Sequence, residues 1–162
     1  MIMLGMLIID MVMGQSIYIP DMDVNIDDTI HVPIIINNVE DFNDNIDITL
    51  TFDRNVLTPI SPEINYNLLP SDFGVIGFVV KSDSSIYLGI SGNLATWSGN
   101  GAIAYIIIKV IGSPGDVSYI DFLDIQMNFG DYTSYAHGSI ITLIDPECPD
   151  TDICYGCKDG GN

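Results

Sequence analysis

The sequence predicts an all-β domain: a two-layer antiparallel β-sandwich of about nine strands, of jelly-roll or Ig-like type. The first observation is a strict alternation over residues 46–53 (IDITLTFD), where large apolar residues alternate with Asp and Thr. A period of two over eight residues is typical of a half-buried antiparallel strand. The second is that 19 of the 22 acidic residues are Asp, which favours turns and strand ends, whereas only three are Glu, which favours helices. The third is that no stretch of ten or more residues has a helical period of 3.6.

The length and the charge narrow the possible functions. A chain of 162 residues fits one domain with a substantial core. Its net charge is −18, with only four Lys and Arg residues. Because such a polyanion repels phosphates, we expect no nucleic-acid partner. The charge is compatible with divalent cations, a basic partner or a salty medium, and it also serves simple solubility.

Residues 1–16 form a separate apolar N-terminal segment in our division of the chain. Eleven of the residues 1–13 are large and apolar. A secretory signal peptide ending near residues 14–16 fits the length, but the run lacks Lys and Arg and contains Asp10. A transmembrane helix is disfavoured because the run is short and carries that charge. The remaining alternative is an assembly strand that is buried in a groove of this domain or of a neighbouring copy. Its candidate residues are Ile2, Leu4, Met6, Ile8 and Val12.

The first part of the sandwich, which we predict to cover residues 17–144, contains three strand signals. They are 17–24, 30–37 and 46–53. Pro20 restricts the first of these to an edge or an end of a sheet. The following stretch, 54–63, contains two prolines, and we expect it to be irregular.

The second part contains five further strand signals bounded by turn residues: 75–80, 85–91, 102–110, 117–129 and 138–144. The signal over 117–129 predicts one long strand or two short strands around Asp124, which gives about nine strands in all. The spacing of the first two predicts a hairpin. The nearly continuous apolar run 102–110 predicts a central strand, since an exposed strand of this kind would aggregate.

No pattern of catalytic residues is present in the sequence. There is no G-x-S-x-G, no H-E-x-x-H and no Gly-rich phosphate loop. The two histidines are His31, expected on the surface of a strand, and His137, expected in a loop. We therefore expect that the protein is not an enzyme.

The C-terminal tail, residues 145–162, contains all the cysteines: Cys148, Cys154 and Cys157. A zinc site needs about four ligands, which the three cysteines reach only together with the distant His137. In an extracellular setting, a disulfide that leaves one thiol free is the favoured interpretation. The free thiol could then cross-link subunits.

Aspartates in the first turns are candidate calcium ligands, because hard cations bind several carboxylate oxygens on flexible loops. These candidates are Asp21, Asp23, Asp27 and Asp28. The sequence from Asp21 begins like an EF-hand loop, but Ile26 stands where that loop needs Gly and Val32 where it needs Glu. Ordinary turn chemistry of Asp is the alternative. No other cofactor is expected.

Three aromatic residues raise the possibility of a sugar platform. Trp97, Tyr87 and Tyr105 come from neighbouring elements and could form a row that stacks on a polysaccharide. The alternative for Trp97, the only tryptophan, is a hydrophobic anchor of its Gly- and Asn-rich loop.

Three segments in order resemble the cohesin family. Residues 17–39, with IYIPD and then DDTIHVPIIINNV, are similar to the family's opening strand, turn and V-x-V-P-V-x-I-x-N-V. Residues 46–59 (IDITLTFDRNVLTP) are similar to F-x-L-x-Y-D-x-x-V-L, and residues 99–110 (GNGAIAYIIIKV) to G-x-G-x-L-A-x-I-x-F-x-V. The apolar N-terminal run and the cysteine-containing tail depart from the family pattern.

The resemblance implies a nine-strand jelly-roll without catalytic activity whose partner is a dockerin, a small calcium-loaded helical module. In the family, the third, fifth, sixth and eighth strands form the binding face. The corresponding segments here are 46–53, 75–80, 85–91 and 117–129. The implied partner-binding residues are Asp47, Thr49, Thr51 and Tyr87.

We therefore predict a non-catalytic, extracellular, cohesin-like module for protein–protein assembly. In one mode, copies of the chain assemble into a surface fibre through the N-terminal strand. In the alternative modes, the domain is a receptor for a dockerin-type partner or a carbohydrate-binding module.

Overall fold

Two β-sheets pack face to face in the computed structural model, which describes residues 16–42, 45–92, 97–127, 130–131 and 136–144. The strands are β1 Ser16–Tyr18, β2 Met22–Asn25, β3 Thr29–Phe42, β4 Asn45–Thr51, β5 Leu57–Ile64, β6 Gly74–Val80, β7 Ser85–Ser91, β8 Trp97–Val110, β9 Val117–Met127, β10 Gly130–Asp131, β11 Ala136–His137 and β12 Ser139–Ile144. The described ranges contain no helix, so the predicted all-β class is confirmed. It follows that no helix in them is long and apolar enough to cross a membrane.

The five-stranded sheet has the order β11–β1–β3–β8–β5. The seven-stranded sheet has the order β2–β12–β9–β4–β7–β6, with β10 beside β9. The predicted hairpin is confirmed as β6–β7, and the run 102–110 lies in β8, which pairs with β3 on one side and β5 on the other. The predicted central position of this run is therefore correct.

Strict alternation along the strands builds the core between the sheets. On β4, Ile46, Ile48 and Leu50 are fully buried, as the alternation in the sequence predicts. Ile106 and Ile108 of β8 are buried from the opposite sheet. Burial of such side chains is worth about 1.5–3 kcal/mol each, so these facing rows hold the two sheets together.

The first predicted strand, 17–24, is divided between the two sheets. Pro20 has no N–H to continue a ladder, and β1 pairs in the five-stranded sheet while β2 pairs in the seven-stranded one. Both run parallel to the last strands, β11 and β12, so two strand pairs depart from the predicted antiparallel pattern. Ile19 N donates to His137 O at 3.1 Å, and Ser139 Oγ donates to Pro20 O at 2.6 Å. We call this junction the terminal seam.

Gly138 marks the point where the last strand also changes sheet. A Cβ atom at this position would overlap the carbonyl oxygen of Ile120 and lie 3.0 Å from the Cα atom of Asp121. The close approach of the β9 backbone therefore requires glycine in the terminal seam.

The expectation of irregular structure over 54–63 is wrong. Residues Leu57–Ile64 form β5 despite Pro59 and Pro62. Among the described strands β5 pairs only with β8, and a bulge interrupts the pairing between Pro59 and Ser61. An edge strand tolerates proline because half of its N–H groups need no partner in the sheet.

Candidate docking face on the seven-stranded sheet

The outer side of β9, β4, β7 and β6 is the candidate site, and we call it the docking face. These four strands are consecutive neighbours in the seven-stranded sheet. They correspond to the four segments that the cohesin resemblance assigns to partner binding.

The middle of the docking face is polar. Asp47, Thr49 and Thr51 of β4 are half-buried and alternate with its three core residues, so they point outward. Thr49 lies between Tyr87 of β7 and Asp124 of β9 in the pairing of the strands. All four predicted partner-binding residues therefore lie on one face, and their role in binding remains a prediction.

Tyr87 occupies a seat formed by two glycines. A Cβ atom at Gly77 would lie 2.9 Å from its Cε1 atom, and a Cβ atom at Gly89 would lie 2.8 Å from its hydroxyl oxygen. The ring can rest on the sheet because neither neighbour has a side chain. The hydroxyl donates a hydrogen bond to Asp47 Oδ1. This bond, together with partial burial, raises the pKa of Tyr87.

Large apolar side chains flank this polar centre on both sides. Ile76 and Val79 of β6 are exposed on one side, and Leu123 and Tyr119 of β9 on the other. Ile76 and Leu123 are the extra residues of two β-bulges, and neither has a paired residue on the neighbouring strand. A bulge re-aims a side chain, which here adds an apolar residue to each flank.

The sequence prediction missed these flanking residues. For β9 a signal existed in the sequence, because the alternating apolar residues change phase between Phe122 and Ile125. The β6 sequence GVIGFVV is apolar throughout and carries no such signal.

The docking face is also acidic. Asp47, Asp121 and Asp124 lie on β4 and β9, and the four strands contain no Lys or Arg. A surface with carboxylates at its centre and apolar flanks is complementary to a partner with apolar and basic side chains. The histidines lie elsewhere: His137 is in strand β11 and not in the predicted loop. His31 is exposed on β3, as predicted, with Nδ1 3.5 Å from Glu63 Oε2.

The calcium candidates do not converge on a common site. Asp28 Oδ2 accepts hydrogen bonds of 3.1 Å from the backbone and side-chain nitrogens of Asn25. Asp21 Oδ1 accepts from Ile140 N at 2.8 Å, Asp27 lies 3.6 Å from Lys109 Nζ, and Asp23 is exposed on β2. Within the described ranges, no three His, Cys, Asp or Glu side chains are grouped to hold a metal ion. The turn chemistry of Asp accounts for the Asp28 contacts, whereas Asp21 binds the backbone of the distant strand β12.

The predicted aromatic row does not form. Trp97 is only 7% exposed, which agrees with a role as a hydrophobic anchor. Tyr87 lies on the docking face, whereas Tyr105 lies on the outer side of β8 in the other sheet, where its ring meets His31 edge-on. A sugar platform made of these three residues is therefore excluded.

Two predicted groups fall outside the described residues. They are the assembly-strand residues Ile2, Leu4, Met6, Ile8 and Val12, and the cysteines Cys148, Cys154 and Cys157.

The comparison with known proteins supports the fold and gives no sequence-level match. No family model matches the chain, and no curated protein matches it in sequence. Among solved structures, the chain is similar to the OlpA cohesin in a type I cohesin–dockerin complex from Clostridium thermocellum. Identity is 18% and the TM-score 0.67, over 81% of this chain and 99% of that one.

Two further structures extend this comparison. One is the third ScaC cohesin of Acetivibrio cellulolyticus in complex with the ScaB dockerin, at 15% identity and a TM-score of 0.66, over 82% of this chain and 100% of that one. The other is a non-cellulosomal cohesin from the archaeon Archaeoglobus fulgidus, at 17% identity and a TM-score of 0.63, over 83% and 94% of the two chains. The resemblance seen in the sequence is thus confirmed at the level of structure: this chain has a cohesin-like fold.

Proposed function

We propose that this chain is a non-catalytic, extracellular module for protein–protein assembly that receives a dockerin-type partner on the docking face. The observation that carries the proposal is the arrangement of this face. An acidic and hydroxyl-rich centre, fixed by the Tyr87–Asp47 hydrogen bond, lies between two exposed apolar flanks. Two of the similar structures are cohesins in complex with dockerins, which supports this class of partner.

The physical basis is complementarity. An interface of standard size buries about 800 Å² on each partner, and its apolar parts supply most of the favourable energy. Ile76 and Leu123 would provide apolar contacts on opposite flanks of the face. The carboxylates of Asp47 and Asp124 would then select a partner with basic or hydrogen-bond-donating groups between its apolar residues.

Calorimetry with a panel of calcium-loaded dockerins tests this proposal. We expect heat of binding with at least one member, and none after calcium is removed from the dockerin. The variant Thr49→Arg places a bulky cation in the centre of the face and should weaken binding at least tenfold. Thr58→Arg makes the same change at an exposed position of β5 in the other sheet, and it should bind like the unchanged protein. Equal affinities of the two variants, or no heat with any dockerin, would contradict the proposal.

A second candidate function is self-assembly through residues 1–13. Each copy of the chain would contribute this N-terminal segment as a strand to a neighbouring copy. The observation that favours it is the composition of this segment, of which eleven residues are large and apolar. Exposed in water, such a segment is an interaction site or an aggregation hazard.

Light scattering and negative-stain microscopy of the full chain test self-assembly. We expect linear assemblies that disappear when residues 1–13 are deleted. Monodisperse single chains in both preparations would contradict this candidate. N-terminal sequencing of native material provides the control for the signal-peptide alternative, because a cleaved segment cannot assemble anything.

A further inference from the structure

One edge of the sandwich differs from the other three. In the described sheets the edge strands are β11, β2, β5 and β6. The strands β11 and β2 have two and four residues, and β5 contains two prolines. Short edge strands and prolines are the usual protections against unwanted pairing. The strand β6 has seven residues without proline or charge, and among the described strands it pairs only with β7.

The strand β6 is apolar on both of its sides. Ile76 and Val79 are 60% and 50% exposed on the docking face. Val75 and Val80 pair with the core residues Ile90 and Ile86, yet they are 38% and 42% exposed. They remain exposed because, in the described structure, no strand lies beyond them in the sheet. An ordinary amphipathic strand would cover only one of these two sides.

A cleft extends this edge at the start of β6. It has a volume of about 300 Å³ and is lined by Asp72, Gly74, Val75, Ile76, Ser91 and Gly92. A strand added along β6 would pass this cleft and could place a side chain in it.

The N-terminal segment has the properties that the β6 edge requires. Residues 1–9 (MIMLGMLII) are uncharged and free of proline, and they exceed the seven residues of β6 in length. Large apolar residues occupy both odd and even positions, so both sides of an added strand would be apolar.

We propose that residues 1–13 of one copy pair with β6 of a second copy as an additional strand of its seven-stranded sheet. This inference rests on the self-assembly candidate above and names its acceptor site. Backbone hydrogen bonds would set the register, and the apolar side chains of the added strand would cover the exposed positions of β6.

The position of β1 favours a second copy as the donor. Ser16 begins β1 in the five-stranded sheet, where β3 and β8 separate β1 from the β5 edge. The connection 65–73 lies at the same end of the sandwich, with Leu69 and Phe73 buried in it. To reach β6 of its own chain, the N-terminal segment would have to pass around this connection, and much of its length would be used in doing so. A segment from another copy can use all of it along β6.

The contact is heterologous, because the donor and the acceptor are different parts of the chain. Repetition of such a contact generates a linear polymer unless the rotation from one copy to the next closes a ring.

Two complementary variants test this acceptor site by light scattering. The first is a deletion of residues 1–13, which removes the donor. The second, Ile76→Lys with Val79→Lys, charges the acceptor edge in the way that natural edge strands are protected. The matched control is Tyr119→Lys with Leu123→Lys, which charges equally exposed positions of β9, a strand with neighbours on both sides. Circular dichroism verifies folding, and Val79→Lys alone replaces the double variant if that fails to fold.

We expect the deletion and the β6 variant each to have the mass of a single chain, whereas the β9 control assembles like the unchanged protein. A mixture of the deletion and the β6 variant should form a 1:1 dimer, since one copy retains a donor and the other an acceptor.

Each other outcome overturns a defined part of the inference. Assembly of the deletion protein would indicate direct pairing of two β6 edges. Normal assembly of the β6 variant would show that the segment binds a site other than β6, and the self-assembly candidate itself would remain valid. A mixture that stays monomeric would show that the segment does not bind the β6 edge of another copy, which contradicts the proposed acceptor site. Absence of assembly in the unchanged protein would contradict the self-assembly candidate itself.

Discussion

There is no space for a side chain at Gly138 in the terminal seam or at the glycine pair under Tyr87, but different atoms fill that space in the two regions. At Gly138 the obstacle is backbone, the carbonyl of Ile120 and the Cα atom of Asp121. At Gly77 and Gly89 the nearest obstacle is the side chain of Tyr87. Backbone in a paired strand cannot move without breaking its ladder, whereas a side chain can change rotamer. The first glycine therefore serves the architecture, and the pair shapes the docking face.

The largest expected effect is that of Gly138→Ala. The added methyl group collides with β9 backbone, and we expect the free energy of unfolding to fall by about 3 kcal/mol or more in urea denaturation. The control is Gly74→Ala, because a Cβ atom there would have no heavy atom within 4 Å. That variant should stay within about 0.5 kcal/mol of the unchanged protein. Equal urea midpoints for the two variants would refute the backbone explanation.

A smaller effect is expected for Gly89→Ala, because Tyr87 can lift off the sheet. We expect a loss of about 1 kcal/mol in the free energy of unfolding. In a Tyr87→Ala background, the cost of Gly89→Ala should decrease, since the nearest obstacle is gone. In the same double-mutant cycle with Gly138→Ala in place of Gly89→Ala, the Tyr87→Ala background should not decrease the cost in the free energy of unfolding. If Tyr87→Ala leaves the cost of Gly89→Ala unchanged, the seat is not what determines it.

The smallest effect concerns the hydrogen bond between Tyr87 and Asp47. Asp47→Ala should lower the pKa of Tyr87 toward the ordinary tyrosine value, because the bond from the hydroxyl to the carboxylate is its main cause. NMR titration of the tyrosine ring carbons measures this change. Since the pKa is raised in the folded state, the contribution of the bond to stability is complete below the ordinary tyrosine pKa and is lost as the pH rises through the raised one. Thr51→Ala, on the same strand, is the control and should leave the Tyr87 titration unchanged.

The sequence predicted those features that depend on local alternation. The β4 pattern of Ile46, Ile48 and Leu50 defines its buried side without knowledge of any neighbour, and it also places Asp47 and Thr49 on the outer side. The fold class and the predicted docking-face residues of β4 follow from this pattern.

Features that depend on a distant partner were not predictable in this way. The division of the first strand at Pro20 depends on parallel partners at the other end of the chain. Whether Pro59 and Pro62 end a strand depends on whether their missing N–H groups would have faced β8. The exposure of Ile76 depends on a bulge relative to β7, and no local pattern encodes it.

The parallel pairing in the terminal seam has a mechanical consequence. Ser16 and Ile144 lie at opposite ends of the sandwich, because β1–β2 and β11–β12 run side by side in the same direction. Tension that pulls these two residues apart would slide β2 along β12 rather than peel it away. The hydrogen bonds of a parallel ladder sheared in this manner carry the load together instead of breaking one after another. A domain pulled at Ser16 and Ile144 would therefore resist stretching along the strand direction of the sandwich.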